Sequence, residues 1–117
     1  MNNYYTLKVK EVIQETKDAI VIQFKQPLFK KINYKSGQFL TLIIPINGKK
    51  ERRSYSICST PDLDDHIAVM VKRVAGGLVS NYLNDHVKAG DSLEVLEPMG
   101  NFVLEPDRTK KRHLVFF

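Results

Sequence analysis

The sequence predicts an all-β domain, a six-stranded antiparallel Greek-key barrel with one short helix, and three observations carry that prediction. Apolar residues recur at every second position through most of the chain, the period of a half-buried strand. Turn-forming clusters such as Lys17-Asp18, Asn47-Gly48 and Pro98-Met99-Gly100 cut that pattern into short pieces. A single stretch, Leu78 to Val87 behind Gly76-Gly77, changes to helical spacing. Short strands with regular turns and one helix fit a small barrel or sandwich.

The elements follow in order. Tyr4 to Thr16 nearly alternates, with Leu7, Val9, Val12 and Ile13 set among Lys8, Lys10, Glu11 and Gln14, and reads as a first strand. Ala19 to Gln26 follows the Lys17-Asp18 turn, with Ile20, Ile22 and Phe24 on one face. Pro27 to Gly37 is a connection punctuated by Pro, Asn, Ser and Gly. Gln38 to Ile46 is continuously apolar, as a strand buried on both faces would be. Asn47-Gly48 is a strong two-residue hairpin signal, and Lys49 to Cys58 returns as the fourth strand. An acidic loop, Pro61 to Asp65, leads to a fifth strand from His66 to Val74. Leu78, Val79, Tyr82, Leu83 and Val87 then fit a helix, which Gly90-Asp91 ends. Ser92 to Glu97 is the sixth strand, followed by a turn and a short Asn101 to Leu104 segment.

The 117 residues amount to one domain, and 18 Lys and Arg against 13 Asp and Glu leave a net charge of +5, a surplus that suits an anionic ligand or an acidic partner. The one cysteine, Cys58, excludes an internal disulfide and reads as a small buried hydrophobe. No apolar run approaches the roughly 20 residues of a membrane span, and the N-terminus has no secretory h-region, so the expected compartment is the cytoplasm and no membrane partner is expected. His66, His86 and His113 lack partners at metal-ligand spacing, so no metal site is expected. Nucleophile-elbow, dinucleotide and phosphate-loop fingerprints are missing. Near the C-terminus, Glu105-Pro106-Asp107 reads as a boundary and Arg108 to Arg112 as a solvated basic run. His113 to Phe117 begins a new apolar strand that would be left with an unpaired edge. The expected division is therefore a barrel over residues 1–106 and, over 107–117, a linker with the first strand of a further domain cut short.

Two segments carry candidate chemistry. In Arg53-Ser54-Tyr55-Ser56, alternation sets Arg53 and Tyr55 on one face and Ser54 and Ser56 on the other. A cation beside an aromatic ring can hold an anionic group and a flat π-system together, although an ordinary cross-strand Arg and Tyr pair would read the same way. In Ala75-Gly76-Gly77-Leu78-Val79-Ser80, glycines precede a helix whose first-turn N–H groups and dipole favour an anion. The plainer reading there is a glycine turn with Ser80 as the N-cap.

Taken together and in this order, the two segments resemble the flavin-binding domain of the ferredoxin–NADP reductase superfamily. Arg53-Ser54-Tyr55-Ser56 is similar to that family's Arg-x-Tyr-Ser/Thr motif, and Gly77-Leu78-Val79-Ser80 to its Gly-x-x-Ser motif. Met70-Val71-Lys72-Arg73 lies between them, where the family has a strand ending in Val-Lys-Arg, and Pro98 to Phe102 looks like the turn near the barrel's end. The resemblance covers nearly the whole chain and leans toward reductase components of multicomponent oxygenases, the phenylacetyl-CoA oxygenase type among them.

The resemblance implies FAD as the cofactor. Arg53 would pair with the pyrophosphate, with Ser54 beside it in the motif. Tyr55 would stack on the flavin and ribityl region, and Ser56 would hydrogen-bond near the flavin N5 atom, which makes Tyr55 and Ser56 the catalytic candidates. Met70, Val71 and Lys72 would contact the cofactor through backbone. Gly77, Leu78, Val79 and Ser80 would offer amides and a hydroxyl to the pyrophosphate. It also implies an NAD(P)H-dependent oxidoreductase whose nucleotide domain and plant-type iron–sulfur domain, with a 2Fe-2S cluster, would follow this chain. One cysteine cannot hold such a cluster here. An oxygenase or ferredoxin-type protein would accept the electrons, with degradation of phenylacetate or other aromatics as the setting and no nucleic acid as partner. Two other readings stay open on the residues alone: a basic β-barrel that binds single-stranded nucleic acid, and a flavin-free interaction barrel.

Overall fold

A computed structural model of the chain describes residues 4–27, 31–61 and 64–100. Six strands and one helix follow one another as β1 (Tyr4–Thr16), β2 (Ala19–Lys25), β3 (Phe39–Ile46), β4 (Lys49–Ser56), β5 (His66–Lys72), α1 (Leu78–His86) and β6 (Ser92–Leu96). All the strand pairings are antiparallel, in the order β4-β3-β6-β1-β2-β5. The last strand is thus inserted between β3 and β1, the out-of-sequence neighbour expected of a Greek-key arrangement.

Local chemistry sets the corners. Asn47 (φ 52°) and Gly48 (φ 80°) both occupy the left-handed region, the conformation a two-residue hairpin requires of its turn. β1 pairs with β6 through Tyr4 to Lys8 and with β2 from Val9 onward, and its register shifts between Val9 and Glu11. At that point the Val9 N–H donates to the Asp91 carbonyl at 2.7 Å and the Gly90 N–H to the Val9 carbonyl at 2.9 Å. This irregularity lets one long strand serve both halves of the sheet, as bulges do where sheets coil.

The coiled sheet wraps one core. Leu7, Val9, Ile20, Ile22, Phe24, Leu40, Leu42, Ile44, Ile67, Val69, Val71 and Val95 are buried inside it. Val79 and Leu83 of α1 join the same cluster, and the helix packs on β5. In β3, Leu42, Ile43 and Ile44 are all buried, as its unbroken apolar run predicts. No helix among the described residues is long and apolar enough to cross a membrane.

The structure qualifies the predicted barrel. β4 and β5 are the two ends of the strand order, and among the described residues they pair at a single isolated bridge, between Ile57 and Val69. The sheet curls without closing into a continuous ladder. β4 accordingly stops at Ser56, two residues before the predicted end, and Cys58 is exposed rather than buried because alternation sets it on the outer face, between the buried Ile57 and Ser59. Ser80 is not the N-cap: Gly77 occupies that position, without a side-chain cap, and Ser80 lies inside the first turn. The Asn101–Leu104 segment, the boundary at residues 105–107, the basic run and the terminal strand lie outside the described residues, as do parts of the Pro27–Gly37 connection and the Pro61–Asp65 loop.

Candidate functional site

The unclosed seam between β4 and β5 gathers most of the predicted site residues. Cys58 donates its N–H to the Ala68 carbonyl at 2.8 Å, while the Ile57 N–H turns the other way, to the Gln38 carbonyl at 2.9 Å. Backbone polar groups alternate sides along a strand. The amides of Ser56 and Ser54 therefore face β5, and the backbone groups of Met70 and Lys72 face β4. In the register set by the bridge, Ser56 stands across the seam from Met70, Tyr55 from Val71, Ser54 from Lys72 and Arg53 from Arg73. Among the described residues no strand pairing joins β4 to β5 beyond that bridge. The bridge itself joins the Met70 N–H to the Ser56 carbonyl, and beyond it the Ser54 and Lys72 edges carry peptide donors and acceptors that no strand pairing uses.

The side chains along the gap divide by face. Tyr55 and Arg53 pair with Leu40 and Leu42 and so share the core-side face. Tyr55 is half-buried against the core, and that burial pushes its phenol pKa above the ordinary value, against the opposing pull of Arg53. Ser54 and Ser56 face outward, and the Ser54 hydroxyl shares a 2.7 Å hydrogen bond with the Thr41 hydroxyl. Met70 is 44% exposed on the same outer face, and Lys72 is exposed. Val71 differs from its neighbours. Its side chain is fully buried in the core, and its carbonyl accepts from Asn84 Nδ2 at 3.3 Å, so it offers the gap no free group. The Arg53 guanidinium lies along the strand edge, donating to the Arg52 carbonyl at 2.7 Å and meeting Glu51 at 3.5 Å. Both contacts are solvent-exposed and weak enough for a better anion to displace them.

The chain passes from Lys72 and Arg73 directly into the turn that starts α1, which sets the helix tip just beyond the Lys72 end of β5. That turn is built by close packing. The Gly77 N–H donates to the Val74 carbonyl at 2.8 Å, and the Val74 N–H donates to the Ser80 hydroxyl at 3.1 Å. A Cβ on Gly77 would lie 2.7 Å from Ser80 Oγ, so only glycine fits. With no side-chain cap and no acidic residue in the first turn, the amides of Leu78, Val79 and Ser80 remain a positive pole. Val79 is buried and contributes only its amide, Leu78 is exposed, and the buried Ser80 hydroxyl locks the turn while keeping one proton to donate.

Sequence reasoning missed the groups that tie this tip to the seam. Arg73 reaches back across the helix, donating to Asn81 Oδ1 and to Asp85 Oδ1 at 2.9 Å each. Asn81 Nδ2 donates to the Gly77 and Val74 carbonyls, and Asn84 Nδ2 bonds the Ser80 carbonyl together with that of Val71. The i, i+4 spacing of Asn81 and Asp85 was the available signal, since it sets both on one helical face within reach of a single cation.

The residues fit FAD. A flat ring system edged with donors and acceptors would suit the unpaired edges of β4 and β5, and the glycine-cradled helix tip with Arg53 would suit a diphosphate. The comparisons with known proteins agree. Residues 6–104 match the family model of the oxidoreductase FAD-binding domain. The chain is 38% identical over 113 residues to one of the subunits of the 1,2-phenylacetyl-CoA epoxidase of Escherichia coli, covering 95% of this chain and 32% of that protein. It is 42% identical over 106 residues to the ferredoxin reductase component of the 3-ketosteroid-9-alpha-monooxygenase of Mycobacterium tuberculosis, covering 83% and 30% respectively. The solved structure of phthalate dioxygenase reductase superimposes with a TM-score of 0.75 at 27% identity, over 88% of this chain and 32% of that one. The chain spans about a third of the length of the curated relatives it matches. With the family model matching residues 6–104, most of its length, this chain belongs to the oxidoreductase FAD-binding domain family.

Proposed function

We propose that this chain is the flavin domain of a longer cytoplasmic reductase, which draws a hydride from NADH or NADPH and delivers electrons one at a time to an iron–sulfur centre or an oxygenase component. The observation that carries the reading is the open β4–β5 seam ending at an uncapped helix tip. FAD, when bound, supplies the conversion of a two-electron donor into one-electron steps. The protein's part is to bind, orient and shield. Arg53 would leave Glu51 and the Arg52 carbonyl to pair with the diphosphate, and the amides of Leu78, Val79 and Ser80 would complete the anion site. Tyr55 gives the ring system an aromatic wall, its phenol kept neutral by burial. The Ser56 hydroxyl would hydrogen-bond near the reacting ring edge, and the Met70 carbonyl and the Lys72 backbone would offer further groups along β5. Ser54 braces β4 through Thr41.

The relatives support the pathway. Phthalate dioxygenase reductase is described as a modular structure for electron transfer from pyridine nucleotides to [2Fe-2S], and the M. tuberculosis relative is the ferredoxin reductase component of a monooxygenase. The E. coli relative belongs to a phenylacetyl-CoA epoxidase, which makes an oxygenase of aromatic degradation the acceptor we favour. The test is a titration of the chain with FAD. Saturable one-to-one binding that weakens roughly 10- to 100-fold in Arg53→Ala supports the reading, the range expected for loss of a charge-assisted contact. A chain that ignores FAD but binds single-stranded oligonucleotides with steep salt dependence would replace it with the nucleic-acid reading.

A further inference from the structure

Two faces of α1 are occupied and one is open. Val79 and Leu83 are buried in the core. Asn81 and Asp85 bond Arg73, and Asn84 bonds the carbonyls of Val71 and Ser80. The third face carries Leu78, Tyr82 and His86 at i, i+4 and i+8, which sets them in one row. All three are exposed, Leu78 at 45% and Tyr82 at 37%. The Tyr82 and His86 rings pack with their centroids 4.9 Å apart and their planes tilted by 43°. Among the described residues neither ring makes a hydrogen bond or an ion pair, so the row is free to take a ligand.

We propose that this row is the subsite for the adenosine half of FAD, with Tyr82 stacking on the adenine, and that it makes the chain select FAD over FMN. The inference rests on the FAD reading above. Leu78 belongs to both places: its amide heads the anion site, and its side chain begins the row. A diphosphate held by the first-turn amides would therefore lie at the foot of the row. Tyr82 follows one turn later, about 6 Å along the axis, comparable to the ribose that separates a diphosphate from its base. A purine offers a flat π-face and little charge, and an exposed tyrosine ring flanked by an imidazole is a stacking platform of that chemistry. FMN ends at its single phosphate and leaves the row uncovered.

The test is to titrate the full chain with FAD and, separately, with FMN, unmutated and as Tyr82→Ala, Tyr82→Leu and Tyr82→Phe. The unmutated chain is expected to bind FAD more tightly than FMN. Tyr82→Ala is expected to weaken FAD roughly 5- to 100-fold, the range for loss of one base–aromatic stack, and to leave FMN unchanged. Tyr82→Phe keeps the ring and should keep the preference for FAD. If Tyr82→Ala does not fold, Tyr82→Leu, which keeps apolar bulk without the ring, decides in its place by the same loss of preference. Equal affinities for FAD and FMN in the unmutated chain would overturn the proposal and leave the flavin reading standing. So would a variant without the ring that keeps its FAD affinity, or one that loses FAD and FMN to the same degree. An unmutated chain that binds neither flavin would instead refute the flavin reading, and the proposal with it.

Discussion

Replacing Gly77 by alanine is the sharpest probe of the helix tip, because its consequence can be worked from measured spacings. The backbone there is unstrained for any residue (φ −75°, ψ 122°), so the whole effect comes from the added methyl group. That methyl would lie 2.7 Å from Ser80 Oγ and 3.1 Å from both the Cβ and the carbonyl oxygen of Val74. Ser80 is buried, and its hydroxyl is the acceptor for the Val74 N–H, so moving it aside leaves a part-buried donor unpaired. Such a loss costs about 1–3 kcal/mol, and pushing the Val74 carbonyl outward adds about 1 kcal/mol more. A domain of this size loses about 4–8 °C of melting temperature per kcal/mol, so Gly77→Ala, at about 2–4 kcal/mol, should melt about 8–30 °C lower and bind FAD more weakly. Gly76→Ala is the control. Its left-handed φ of 75° costs stability too, about 1–2 kcal/mol, but nothing lies within 4 Å of the new methyl and the tip stays in place. Thermal melts and FAD titrations of both variants decide the matter. A Gly77→Ala protein with unchanged stability and affinity, or a Gly76→Ala protein that loses FAD to the same degree, would refute the reasoning.

The remaining predictions concern single groups. Arg73→Gln removes the ion pair to Asp85 at 2.9 Å and weakens the bond to Asn81; since the pair is partly exposed, stability should fall by only about 1 kcal/mol, while FAD affinity falls as the tip loosens, read by the same titration. Tyr55 titrates above its ordinary 10.0, so its neutral form stabilises the fold below that pH and the stabilisation is lost as pH rises through the higher folded value. The alkaline fall in melting temperature should therefore be smaller in Tyr55→Phe, and identical alkaline limbs would count against burial of the phenol. Cys58 is surface-exposed, yet desolvation raises its thiol pKa. It should alkylate with iodoacetamide at pH 7.5 more slowly than a free cysteine peptide, and a faster rate would contradict that assignment.

Much of the fold was legible because local chemistry determined it. The β1 bounds, the Asn47-Gly48 turn and the helix start at Leu78 follow from period and turn residues that carry their own conformational preference. The site was half legible. Arg53, Tyr55, Gly77 and Ser80 stand out by residue type and spacing. Which of them share a gap depends on β6 entering between β3 and β1, a pairing between distant segments that no local pattern announces. The same limit explains the misplaced residues. Cys58 looked apolar enough to bury, but the strand's alternation buries Ile57 and Ser59 and turns Cys58 to the outer face. Ser80 could read as a cap, but Gly77 holds that position and the Ser80 hydroxyl turns back to accept from the Val74 N–H. Val71 sits between two exposed site residues, and the alternation that exposes Met70 and Lys72 sends it into the core.

Amide hydrogen exchange with and without FAD, read residue by residue, tests the location of the cofactor most directly. Binding in the seam predicts slowed exchange at Ser54 and Ser56, at Met70 and Lys72, and at Leu78 to Ser80, with the Lys17-Asp18 turn unchanged. Protection confined to the outer face around Tyr4 and Lys50, or none along β4 and the helix tip, would contradict it.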